Sequence, residues 1–81
     1  MKQMYSEILL RRIQTLCKDR GWSINTLAEM SGLSQSTLEN ISLGITKNPS
    51  IITLHKIALG FGMTLAEFLN FDELNDFSFD D

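Results

Sequence analysis

The 81 residues, 43% hydrophobic and 21% charged with a net charge of −3, describe one small globular domain, neither disordered nor two-lobed. One cysteine, Cys17, and one histidine, His55, leave no internal disulfide, no zinc ribbon and no histidine-based catalytic pair. Composition therefore disfavours an enzyme and implies no metal or other cofactor. No apolar run reaches the roughly 18–20 residues of a membrane span. The opening Met1-Lys2-Gln3-Met4-Tyr5 has no apolar signal core, so a cytoplasmic chain is expected.

The apolar spacing is helical throughout. Leu9, Ile13, Leu16 and Cys17 recur at i, i+4, i+7 and i+8 and predict a helix near 6–20, with Arg11, Arg12, Gln14, Thr15 and Lys18 on its other side. Glu7 stands four residues before Arg11, the favourable order for a helical ion pair, and Gly21 supplies the stop. Four further helices share one starting device. Ser23, Ser34, Ser50 and Thr64 each offer a hydroxyl to an orphan backbone N–H. Each cap is flanked by a pair that can staple the chain's entry: Trp22 with Leu27, Leu33 with Leu38, Pro49 with Leu54, and Met63 with Phe68. Thr64 and Glu67 add a capping box. With Gly32, Gly44 and either Gly60 or Gly62 as stops, helices are predicted near 24–31, 35–42, 51–60 and 65–70. The fold class is all-α, a five-helix bundle.

Met30-Ser31-Gly32-Leu33-Ser34 joins the second and third helices through a short glycine-centred turn. Ala28 is small enough for a close crossing, and Leu27, Leu38 and Ile41 can hold the pair on the other helices. Two short helices joined in this way form a helix-turn-helix. The leading face of its second helix is free to enter a DNA major groove.

At this point the pattern Trp22-Ser23-x-x-x-Leu27-Ala28-x-x-x-Gly32-Leu33-Ser34-x-x-Thr37-Leu38-x-x-Ile41-x-x-Gly44 resembles the phage-repressor and Cro (XRE) family of helix-turn-helix domains. The likeness continues through Asn48-Pro49-Ser50, Thr53-Leu54, Lys56-Ile57-Ala58 and Met63-Thr64-Leu65-x-x-Phe68-Leu69. It implies a lambda-repressor-like fold and a sequence-specific regulator of transcription, a repressor, acting as a homodimer on a palindromic operator in double-stranded DNA. Carried across, it implies base contacts from Gln35, Ser36 and Asn40, whose amides match the N6/N7 edge of adenine. It implies backbone contacts from Ser23, Asn25, Thr26, Thr37, Lys47 and Asn48, aided by helix N-termini that favour phosphate.

Three departures stand out. Ile24 replaces a glutamine that touches phosphate in many members. Cys17 and Ser42 occupy positions where many members carry an Arg–Glu pair; both charges are gone together, so neither is left buried alone. The third helix has no Lys or Arg and carries Glu39, so weak non-specific affinity and a shallow salt dependence are expected.

Other residues read more plainly. Cys17 lies on an apolar stripe and is expected to be an inert small hydrophobe. His55 is expected on the outer side of the fourth helix, Trp22 in packing, and Arg11, Arg12 and Arg20 on a solvated face. Residues 71–81 form a separate acidic, aromatic tail following a domain of residues 1–70. Asp72, Glu73, Asp76, Asp80 and Asp81 face no base in the last ten residues, which leaves residues 1–71 with seven bases and five acids, or +2. Phe71, Leu74, Phe77 and Phe79 are more apolar than a solvating tail needs; folding back over the fifth helix, a dimer seam and a disordered end all remain open. The alternative function is an antitoxin-like or adaptor protein whose tail binds a protein partner.

Overall fold

The computed structural model describes residues 4–80; residues 1–3 and 81, the outer ends of the two expected segments, lie outside the described residues. All regular structure among the described residues is helical: α1 (Tyr5–Arg20), α2 (Ile24–Ser31), α3 (Gln35–Ser42), α4 (Ile51–Gly60), α5 (Leu65–Leu69) and α6 (Asp72–Asn75). α2 to α5 begin directly after their hydroxyl caps, and α1, which has no side-chain cap, lies where its apolar spacing and Gly21 put it. The sixth is additional to the five expected, and it falls in the acidic tail.

The four hydroxyl caps form as the sequence requires. Ser23, Ser34, Ser50 and Thr64 accept from the backbone N–H of Thr26, Thr37, Thr53 and Glu67 at 3.2, 3.1, 3.1 and 3.0 Å. The Glu67 carboxylate closes the capping box by accepting from the Thr64 N–H at 2.8 Å. That donor holds the carboxyl of Glu67 below the usual carboxylate range.

Ile13, Leu16 and Cys17 of α1, Leu27 and Ala28 of α2, Leu38 and Ile41 of α3, Leu54, Ile57 and Ala58 of α4, and Phe61 and Phe68 form one core. Leu27, Leu38, Ile57 and Phe68 have no exposed surface, and each contributes about 1.5–3 kcal/mol by leaving water. Burial raises the Cys17 thiol above its ordinary value, against an opposing pull from Arg20, so the neutral thiol is favoured.

The α4 stop resolves between its two candidates. Gly62 takes a φ of 77°, the left-handed turn conformation. Gly60 is buried in the last turn of α4, where a Cβ would lie 3.0 Å from the backbone N, Cα and Cβ of Ser31. Gly60 thus marks the close approach of α4 to the end of α2.

Arg11 and Arg20 are exposed, as expected, and Arg12 is half-buried; all three also act as fastenings. Arg12 donates to the carbonyls of Phe68 (3.0 Å) and Glu67 (3.1 Å), near the C-terminus of α5. It also covers the Phe71 ring at 5.0 Å. Arg20 donates to the Phe61 carbonyl at 2.9 Å and lies 5.0 Å from the Phe61 ring, which stacks on Trp22. Arg11 pairs with Glu73 of α6.

Residues 71–80 fold back along α1, an ordered arrangement that differs from each of the alternatives the sequence left open. Tyr5 meets Phe77 edge-on at 5.0 Å and stacks on Phe79 at 5.7 Å, and Phe77 and Phe79 are 4.8 Å apart. The acids line up with α1 because Arg11 and Arg12 offer a cation to Glu73 and to the Phe71 ring, while the half-buried Phe77 finds Tyr5.

A candidate nucleic-acid interface

The surface begins with the turn between α2 and α3. Gly32 adopts a φ of 72°, and its N–H and that of Leu33 both return to the Ala28 carbonyl. A Cβ at this φ would be strained, so glycine is the residue that lets the chain reverse here. Ser34 then caps α3, with its Oγ also 2.8 Å from Thr37 Oγ1.

On α3, Leu38 and Ile41 face the core, and the remaining positions divide accordingly. Gln35, Ser36 and Asn40 are all exposed. The arrangement is thus an outward amide-bearing face on a helix whose other side is locked into the core. Asn40 also anchors the following loop: its carbonyl accepts from Ile45 N at 2.9 Å and Thr46 N at 3.0 Å. Lys47 and Asn48, both exposed, extend from that loop before Ser50 caps α4. These backbone hydrogen bonds tie Asn40 to the start of the loop that leads on to Lys47 and Asn48.

The α2 set stands on its own element. Ser23 and Asn25 are exposed, while Thr26 is half-buried with its Oγ1 3.1 Å from Ser23 Oγ. Thr37 is likewise half-buried. Both threonine hydroxyls are thus engaged in caps, and a methyl or a shared hydroxyl is what they present. Ile24 is half-buried and packs against the core. His55 is exposed on α4, beside exposed Ile51, Ile52 and Leu59.

One interaction on this face was not anticipated. Gln35 Nε2 donates to Glu39 Oε1 at 3.0 Å, one turn along α3. The i, i+4 spacing of the two residues was the available signal.

These features define a helix-turn-helix domain whose second helix presents a polar, exposed face. The profile of the Cro/C1-type HTH DNA-binding domain matches residues 12–73, and the chain belongs to that family. Among relatives, it is 40% identical over 57 residues to the HTH-type transcriptional regulator SlrR of Bacillus subtilis, covering 70% of this chain and 38% of SlrR. The chain spans 36–54% of the length of three regulators it matches. Among solved structures, prophage Lp1 protein 11 superposes with a TM-score of 0.79 at 28% identity, covering 95% of this chain and all of the other. SinR, the master regulator for biofilm formation, solved in complex with DNA, superposes with a TM-score of 0.66 at 31% identity, over 76% of this chain and 98% of that one.

Proposed function

We propose that the chain is a sequence-specific DNA-binding regulator of transcription, a repressor, that places α3 in the major groove. The observation that supports this is the exposure of Gln35, Ser36 and Asn40 on a helix otherwise fixed by Leu38 and Ile41. Gln35 and Asn40 read adenine edges and Ser36 adds a hydroxyl contact. Ser23, Asn25, Thr26 and Thr37 meet the sugar-phosphate backbone on one side, and Lys47 and Asn48 on the other. The likeness to a structure of SinR on DNA supports the same docking.

A homodimer belongs to this reading. An eight-residue helix is about 12 Å long and covers only a few base pairs, so a palindrome read by two copies about 34 Å apart supplies the missing information. No chemistry is assigned: the relatives are regulators, and the proposal requires neither catalysis nor a cofactor. No described helix is long and apolar enough to cross a membrane, and a cytoplasmic location fits a DNA-binding role. Residues 1–70 carry the reading function, residues 71–81 form a separate tail, and its described part, residues 71–80, fastens onto α1.

A protein partner on that appendage is the second reading. It is favoured by Phe79, which stacks on Tyr5 yet leaves 78% of its surface exposed. Removing residues 72–81 separates the two: the adaptor reading expects partner capture to vanish with DNA binding intact. The regulator reading is tested by selecting bound sites from a random duplex pool. A defined half-site is expected, and Gln35→Ala should lower discrimination at one position by about 1–3 kcal/mol. Recovery of no preferred sequence overturns it.

A further inference from the structure

We propose that Glu39 is a specificity-determining residue of the α3 face, both as a positioning partner for Gln35 and as a direct acceptor for the amino group of a cytosine. The inference rests on the reading of α3 as the groove helix. Its starting point is the 3.0 Å hydrogen bond from Gln35 Nε2 to Glu39 Oε1.

A side-chain amide has two faces of opposite character, and in water it presents either. A carboxylate has only acceptors. Glu39 therefore admits Gln35 with its nitrogen turned inward along the helix and rejects the flipped amide, which would set oxygen against oxygen. One Nε2 hydrogen is then committed to Glu39, while the other remains beside Oε1. That adjacent donor–acceptor pair is the pattern required by the N7 and N6 groups of adenine. Without Glu39 the same amide can turn and accept other bases, and it must be ordered at the moment of binding, at an entropic cost.

The second Glu39 oxygen has a separate consequence. Both residues are exposed, so Oε2 is available to a duplex that Gln35 reaches. α3 carries no Lys or Arg to neutralise it. An acceptor-only group in the major groove meets repulsion from O6 and N7 of guanine and O4 of thymine, and is satisfied by the N4 amino group of cytosine. Glu39 thus selects cytosine at the position beside the one read by Gln35, and it does so largely by rejecting acceptor-rich edges. The same charge lowers affinity for every sequence through repulsion from phosphate, so it sharpens selectivity while weakening non-specific binding.

The test uses the full 81-residue chain and duplexes that it selects from a random pool, profiled for the wild type, Gln35→Ala, Glu39→Gln, Glu39→Ala and the double variant Gln35→Ala/Glu39→Ala. Circular dichroism confirms that the variants, altered at exposed positions, remain folded. Glu39→Gln should relax the cytosine preference about tenfold, chiefly by raising affinity for duplexes that lack the cytosine. Glu39→Ala should do the same and also weaken adenine selection at the Gln35 position, so that the two positions are coupled in a double-mutant cycle. If Gln35→Ala alters the profile and neither Glu39 variant does, Glu39 is only a helix-stabilising neighbour and this inference fails while the regulator reading stands. If the wild type itself selects no sequence, both fall together.

Discussion

Replacing Gly60 by alanine should destabilise the domain, although alanine is the better helix former. In a helix interior the change gains about 1 kcal/mol of propensity. Against this stands the geometry at the α2–α4 contact. The added Cβ would lie 3.0 Å from three atoms of Ser31, two of them backbone, whereas carbon atoms rest at about 3.5–4.0 Å. No side-chain rotation relieves a backbone overlap, so the end of α2 must move by about half an ångström. Overpacking of this kind costs about 1–3 kcal/mol, and the net loss is about 1 kcal/mol, or a fall in Tm of about 4–8 °C. The assay is equilibrium denaturation in urea with the slope held as a check on two-state behaviour. Gly62→Ala is the control: nothing lies within 4 Å of its Cβ, but its φ is 77°, so that loss is purely torsional, about 1–2 kcal/mol. Stabilisation by Gly60→Ala would refute the close-approach argument.

Lys47→Ala should weaken binding to all duplexes alike and make the log–log salt dependence shallower by about 0.9, measured by fluorescence anisotropy across a salt series. Tyr5→Ala removes two ring contacts to the tail and should destabilise the fold by about 1–3 kcal/mol, read by thermal melting, with the selected duplex sequence unchanged. The lowered proton affinity of Glu67 means that its contribution is present at neutral pH and disappears as the pH falls through the ordinary glutamate range to the lower folded value. Glu67→Gln, which still offers an oxygen to the Thr64 N–H, should therefore flatten the loss of Tm on acidification.

Four helices were legible because each start was encoded in a cap that can be satisfied only locally, and α1 because its apolar spacing and the Gly21 stop bound it. Ser34 needs just the N–H of Thr37, three residues away, so sequence spacing and structure describe the same contact. Gly60 and Gly62 were not separable on that basis: whether a glycine serves a turn or a close approach depends on which backbone passes it, and Ser31 is remote in sequence. The partners of the arginines were not legible for a similar reason. Arg12 and Arg20 reach carbonyls 56 and 41 residues away, and no helical periodicity reports such partners. The tail was legible as too apolar to be plain solvent-facing chain, but its support on α1 follows from Tyr5, Arg11 and Arg12 together, residues that appear unrelated along the chain. The outward side of α3 was legible in outline, since Leu38 and Ile41 fix which side faces the core; the hydrogen bond from Gln35 to Glu39 was not, because side-chain pairing along an exposed helix is only one use of i, i+4 spacing.

The placement of the arginines bears on how so small a domain could discriminate among sequences. Arg11, Arg12 and Arg20 are held by α6, α5 and the Phe61 turn, so a large share of the chain's positive charge serves the fold rather than the proposed interface. A surface with Lys47 on its loop and amides on its helix gains little from phosphate alone, and each missing phosphate contact removes about 0.9 from the salt slope. Binding would then depend more on base edges than on the backbone. The relevant measure of a regulator is the ratio of specific to non-specific affinity, and lowering the denominator raises that ratio as effectively as adding contacts. Glu39 would act in the same direction, which makes the acidic residue on α3 consistent with a reading helix rather than an argument against one.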